Sequence, residues 1–195
     1  GEEAGPVATL EMARVVTAMS EGEVLQLLHA GTVDLPLATY LDIIDRKSAA
    51  LISWCAAAGA WAIDAPEAAS ALQEFGRAVG VAFQITDDVL DYTGTVAVMG
   101  KRAGKDLAER KLTLPLLLAC EADPTLRARL AAGPPSPEAV PGLVQAVVAT
   151  GAPERALEHA RARVAEGVRA LDALPETPHR AALVQLADYL VDRVR

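Results

Sequence analysis

Aromatic residues are scarce in this 195-residue chain, at 4%, and β-branched residues nowhere alternate with polar ones at a two-residue period. Both shortages argue against a strand-built fold. No apolar run approaches the ~20 residues needed to cross a bilayer, and the charged, apolar and small-residue sequence of a secretion signal is missing. These absences lead to the expectation of a cytoplasmic protein with no membrane span. No basic stretch offsets the net charge of −8, which removes the electrostatic basis for gripping nucleic acid. Cysteine is limited to Cys55 and Cys120, each alone in an apolar run with neither metal-site nor disulfide-framework spacing. Both are expected to be buried thiols in a reducing compartment. There is no internal repeat, and no low-complexity tract beyond a general richness in alanine.

What the chain does contain is enough apolar residue, 52%, for one domain with a substantial core, in a helical pattern nearly throughout. From Val7 to Ala30 one or two helices are expected, with Leu10, Ala13, Val16, Val24, Leu27 and Leu28 at three- and four-residue spacing. Thr32 to Pro36 breaks the pattern, and a second helix follows from about Pro36 to Ala58. Asp64-Ala65-Pro66 marks the start of a long helix ending near Thr93, with Asp64 or Ala65 as its cap. At about 28 residues that helix is roughly 42 Å long. Thr93 to Arg110 reads as one long irregular segment rich in Gly and Lys, of a length that points to function. Leu112 to Glu121 resumes as helix, the Pro-rich stretch 133–142 is a connector, and helices are expected at about 138–149, 153–173 and 178–193. The chain starts at Gly1 rather than Met within a helical pattern, so its beginning reads as a cut.

One stripe of the long helix carries candidate chemistry. Gln84, Asp87, Asp88 and Asp91 fall at i, i+3, i+4 and i+7 and share a face. Three acids so close repel one another unless a cation joins them, and no Lys or Arg is interleaved. A solvated acidic helix end is the plain alternative. Magnesium takes oxygen ligands, typically one or two carboxylates with phosphate and water, and lysines to face a phosphate follow in Gly100-Lys101, Gly104-Lys105 and Lys111. Upstream, Lys47-Ser48 lies inside an apolar helix. Lys47 either snorkels to the surface or reaches an anionic ligand. Gly22, in Glu21-Gly22-Glu23-Val24-Leu25-Gln26, marks a close helix contact.

The ordered set Gly22-Glu-x-x-Gln26, Lys47-Ser48, Phe83-Gln84-x-x-Asp87-Asp88-x-x-Asp91, Gly100-Lys101 and the terminal Leu186-Ala-Asp-Tyr-Leu-Val-Asp-Arg193 resembles the all-trans polyprenyl diphosphate synthases, the family of farnesyl and geranylgeranyl diphosphate synthases. The resemblance implies an all-α helical bundle around a central cavity, usually a homodimer. It implies that 1–195 is the C-terminal part of a single such domain, with the N-terminal helices missing. Asp87, Asp88 and Asp91 match the second aspartate-rich motif. Asp87 would be the main Mg²⁺ ligand, with Asp88 and Asp91 helping through waters or by positioning. Lys47 and Lys101 match the lysines that grip the allylic diphosphate, and Lys111 sits where a further phosphate-facing lysine is common. Ser48 stands where Thr is more usual, and Gln84 lines the site.

The implied reaction is ionisation of an allylic prenyl diphosphate, attack by the double bond of isopentenyl diphosphate, and loss of a proton. No other Asp-Asp-x-x-Asp occurs in the sequence. The first aspartate-rich motif, the residues that bind isopentenyl diphosphate and those that set product length are therefore expected in an upstream half, and the chain alone is expected to be nearly inactive. The alternative is a non-catalytic helical partner or regulatory subunit of a synthase. The survival of Asp87, Asp88, Asp91, Lys47, Gln84 and Lys101 favours the enzyme.

Overall fold

The computed structural model describes residues 5–94 and 103–193. In chain order these form α1 (Gly5–Leu28), α2 (Leu37–Ile44), a π-helical turn (Asp45–Ala49) and α3 (Ala50–Ala62). Then come α4 (Pro66–Thr93), α5 (Lys105–Ala108), α6 (Leu114–Ala122), α7 (Pro124–Ala131), α8 (Val140–Ala149), α9 (Ala152–Ala170), a 3₁₀ turn (Leu171–Ala173) and α10 (Pro178–Asp192). No strand occurs among the described residues, so the fold is all-α as expected.

Helix α4 is the axis because its sequence lets it be buried along most of its length. Pro66 takes the first helical position, where its missing N–H leaves no bond unmade. Phe75, Val79, Ala82, Ile85, Val89 and Tyr92 then recur at three- and four-residue spacing, all buried. Helices α3 and α9 pack along it most extensively, and the π turn, α6, α8 and α10 also contact it. The N-cap is Ala65, whose side chain cannot accept a hydrogen bond, so the start rests on the proline rather than on the neighbouring Asp64.

Helix α1 lies mainly against α3 and the π turn. It turns its small residues inward: Ala8, Val15 and Gly22 are buried at seven-residue spacing. The stripe that reads as apolar in sequence faces outward instead, with Val7, Leu10, Val16, Val24, Leu27 and Leu28 all more than half exposed. Close approach selects the smallest residue where α1 meets the π turn, at Gly22 against Arg46 and Lys47.

Several expectations need correction. Helix α7 lies where no separate helix was expected; Asp123 caps it by accepting from the N–H groups of Thr125 at 2.9 Å and Leu126 at 3.3 Å. The segment read as irregular from Thr93 to Arg110 contains the short α5. Cys120 is buried but Cys55 is exposed. Helix α3 is apolar on every side, so its sequence could not tell the face against α4 from the face carrying Cys55. The second expected helix runs unbroken over 37–62, with the π turn inside it between α2 and α3, and so extends past Ala58 to Ala62.

Candidate active site

The π turn sets the geometry of the site. The N–H of Ala50 donates to the carbonyl of Asp45, five residues back, which widens the helix by one residue, a feature frequent at functional sites. Two glycines make room for it. A Cβ on Gly22 of α1 would lie 2.8 Å from Arg46 Cβ and from Lys47 Cγ, and one on Gly80 of α4 would lie 2.6 Å from Ala49 Cα. The turn that carries Lys47 and Ser48 is thus clamped between α1 and α4. The Lys47 side chain is a quarter exposed, and its ammonium donates to Gln26 Oε1 and pairs with Oε2 of the half-exposed Glu23 at 2.5 Å.

From Ser48 a chain of hydrogen bonds runs into the core. Ser48 Oγ donates to Gln84 Oε1 at 2.6 Å, Gln84 Nε2 donates to Asp88 Oδ1 at 2.9 Å, and Tyr40 Oη donates to Asp88 Oδ2 at 2.8 Å. Both carboxyl oxygens of Asp88 are thereby engaged, and the residue is 4% exposed. Burial pushes its carboxyl up to about 7, although the hydrogen bonds from Gln84 and Tyr40 pull it down. Burial, then the Asp88 charge, raises the Tyr40 phenol well above its ordinary value, so Tyr40 remains a donor.

Asp87, the next residue, is nearly half exposed and pairs at 2.5 Å with Arg193, which is the C-cap of α10. The Arg193 guanidinium also lies 4.6 Å above the Phe83 ring. Asp91, 2% exposed, ties down the segment that returns at Gly104. Its backbone carbonyl accepts from Gly104 N–H at 2.8 Å, and its Oδ2 accepts from Asp106 N–H at 2.9 Å. Lys111 pairs with Asp106 at 3.1 Å and Glu109 at 2.6 Å. Burial lowers the Lys111 ammonium, but the bonds and charges from Glu109 and Asp106 outweigh it and hold it at about 12. Gly100 and Lys101 lie outside the described residues.

The structure therefore places Ser48, Gln84 and Asp88 in one network, joins Asp91 and Lys111 through Asp106, and gives Asp87 and Lys47 partners of their own. Tyr40 and Arg193 join the site although no role was assigned to either from sequence. They bond to α4 across 48 and 106 residues respectively, and helical periodicity carries no signal over such separations. No group of three His, Cys, Asp or Glu side chains among the described residues is arranged to hold a metal. A Mg²⁺ ion needs less than that, since phosphate oxygens and waters complete its shell. Asp87, an exposed hard oxygen donor, fits such an ion as a direct ligand. Asp88, bonded at both oxygens, fits a supporting place.

A model of the polyprenyl synthetase family matches residues 4–147. The chain belongs to that family. It is 37% identical over 190 residues to heptaprenyl diphosphate synthase component 2 of Geobacillus stearothermophilus, covering 96% of this chain and 59% of the relative. With octaprenyl diphosphate synthase of Escherichia coli it shares 36% over 198 residues, covering 98% of this chain and 61% of that protein. Among solved structures, a polyprenyl synthase of Caulobacter crescentus complexed with calcium and isoprenyl diphosphate superposes with a TM-score of 0.93 at 33% identity. That match covers all of this chain and 61% of the other. The chain thus spans about three fifths of the length of these family members.

Proposed function

We propose that this chain is the C-terminal part of a Mg²⁺-dependent trans-prenyl diphosphate synthase, which condenses an allylic prenyl diphosphate with isopentenyl diphosphate once an upstream half supplies the first aspartate-rich motif. The observation that carries this reading is that an exposed carboxylate, Asp87, adjoins a buried one, Asp88, whose hydrogen bonds run through Gln84 to Ser48, the residue after Lys47 in the π turn. Bound Mg²⁺ would neutralise charge on the departing diphosphate. Asp87 would hold the ion, while Asp88 and Asp91 fix the helix end that presents it. Lys47 would exchange Glu23 and Gln26 for diphosphate oxygens, and Lys111 would exchange Asp106 and Glu109 for oxygens of the same anion. Ser48 and Gln84 would offer oxygen dipoles to the allylic carbon region, where positive charge develops on ionisation. The solved Caulobacter relative, named as a complex with calcium and isoprenyl diphosphate, supports a divalent cation and a prenyl diphosphate as ligands.

Calorimetric titration of inorganic diphosphate with Mg²⁺ into the chain tests this reading. Saturable binding that Asp87→Asn and Lys47→Ala each weaken about tenfold or more is the expected result, since each removes one charge-assisted contact. An anion that binds equally well to both variants contradicts it.

The outward apolar stripe on α1 supports assembly as a homodimer, which sedimentation of the chain would show and Leu27→Glu would disrupt. A second reading, as a non-catalytic subunit working with a different chain, is favoured by the word "component" in the Geobacillus relative's name; it predicts partner binding without uptake of diphosphate. Of the possible compartments, the cytoplasm suits the two free cysteines best, because thiols stay reduced there. No helix among the described residues is long and apolar enough to cross a membrane.

A further inference from the structure

Phe83 and Asp87 stand one turn apart on the same face of α4, and together they receive one guanidinium. Arg193 Nη2 donates to Asp87 Oδ1 at 2.5 Å, its Cζ lies 4.6 Å from the Phe83 ring centroid, and its Nε donates to the carbonyl of Leu190 at 3.2 Å. The last bond folds the side chain back on its own helix end, so these contacts also fix the final turn of α10. The pair joins residues 106 positions apart in the sequence. Arg193 itself keeps only a quarter of its side-chain surface exposed.

We propose that Arg193 is a placeholder counter-ion for Asp87, and that arrival of a divalent cation there and release of the end of α10 are one event. The inference rests on the reading of Asp87 as a metal ligand. Its physical basis is competition for one carboxylate. A Mg²⁺ ion sits about 2.1 Å from its ligand oxygens, so on Asp87 Oδ1, the oxygen that Arg193 Nη2 already holds, it would come within about 5 Å of that nitrogen, where the two positive charges repel. The doubly charged ion attracts the carboxylate more strongly than the singly charged, delocalised guanidinium, and it displaces a pair of the partly exposed kind that is easily broken. Phe83 gives the released guanidinium a second, weaker hold through its ring face. The side chain thus remains at the rim of the site with its donors available to an anion. While no metal is bound, Arg193 relieves the crowding of three acids on one helix stripe.

Magnesium alone, and then magnesium with inorganic diphosphate, is titrated calorimetrically into the chain and into Arg193→Gln. Amide exchange over residues 186–193 is followed in the wild type and in Asp87→Asn. The proposal expects the Arg193→Gln variant to bind Mg²⁺ about fivefold more tightly, the size of effect set by losing one exposed ion pair and one ring contact. It also expects saturating Mg²⁺ to speed exchange at the end of α10 in the wild type and to leave Asp87→Asn unchanged. Equal affinities, or an α10 end indifferent to Mg²⁺ in a wild type that binds it, overturn the placeholder and leave the proposed function standing. If neither wild type nor variant takes up Mg²⁺ even with diphosphate present, the metal reading fails and the placeholder falls with it.

Discussion

Two neighbouring carboxylates at the end of α4 occupy opposite settings. Asp88 is buried, fully hydrogen-bonded through Tyr40 and Gln84, and its carboxyl is pushed up to about 7. Asp87 is nearly half exposed and holds a single guanidinium that solvent can reach. The difference separates two jobs that an Asp-Asp pair in sequence presents as one. A helix buried on one side and open on the other turns consecutive residues about 100° apart, so one acid joins the scaffold and the next is left open to solvent, where the proposed metal would bind. The same division runs through the rest of the site. Ser48 and Gln84 belong to the fixed network, whereas Lys47 and Lys111 carry carboxylate counter-ions, which in the proposed function a diphosphate replaces.

The comparison breaks most readily at Asp88. Replacing it by Ala strands the Tyr40 hydroxyl and the Gln84 amide in the core, and each unsatisfied group costs ~1–3 kcal/mol. Urea denaturation should therefore show Asp88→Ala destabilised by about 3 kcal/mol. A loss no larger than that of Asp87→Ala would erase the distinction.

A pH series sharpens the comparison further. The folded-state value of Asp88, about 7, lies above its ordinary 3.8, so the folded protein binds the proton more tightly than the unfolded one. The stability this contributes is complete below about pH 4 and lost as pH rises through 7. Relative to wild type, Asp88→Asn should gain on the order of 2 kcal/mol between pH 5 and pH 8 in metal-free buffer. A difference that stays flat across that range would mean that Asp88 is ionised throughout.

The third effect is smaller. Tyr40→Phe removes one donor from Asp88 and leaves the other, and should cost about 1.5 kcal/mol, where the ranges for bonds to neutral and to charged groups meet. A cost near zero would show that the Tyr40 bond does not anchor the network. Smallest of all is Asp87→Asn, which should shift the unfolding midpoint by less than about 0.5 kcal/mol, because an exposed ion pair contributes little.

The sequence carried the axis of the fold well, for local reasons. Pro66 and the buried spacing of α4 mark its limits, and the helix spans Pro66–Thr93, the stretch its pattern predicts. Gly22 was legible as a contact residue because a glycine inside a helix needs a reason, and the reason is the Cβ and Cγ atoms of Arg46 and Lys47. The outward turn of the apolar stripe on α1 was not legible, since pattern alone does not say which side another element covers. Helix α7 had a signal, Asp123-Pro124-Thr125, of the cap-then-proline kind. The π turn had none, because the extra residue follows from how α1 and α4 close around Gly22 and Gly80. In the site, Gln84, Asp87, Asp88 and Asp91 share a stripe as their spacing requires. Which of them is buried depends on Tyr40 and on the tail, contacts made across the whole fold.

The most direct measurement pairs the two acids in one experiment: denaturation and calorimetric binding of Mg²⁺ with inorganic diphosphate, for Asp87→Asn and Asp88→Ala side by side. The account predicts that Asp87→Asn keeps wild-type stability and loses at least tenfold in binding, while Asp88→Ala loses about 3 kcal/mol of stability. An Asp87→Asn variant that binds Mg²⁺ and diphosphate like the wild type would contradict it.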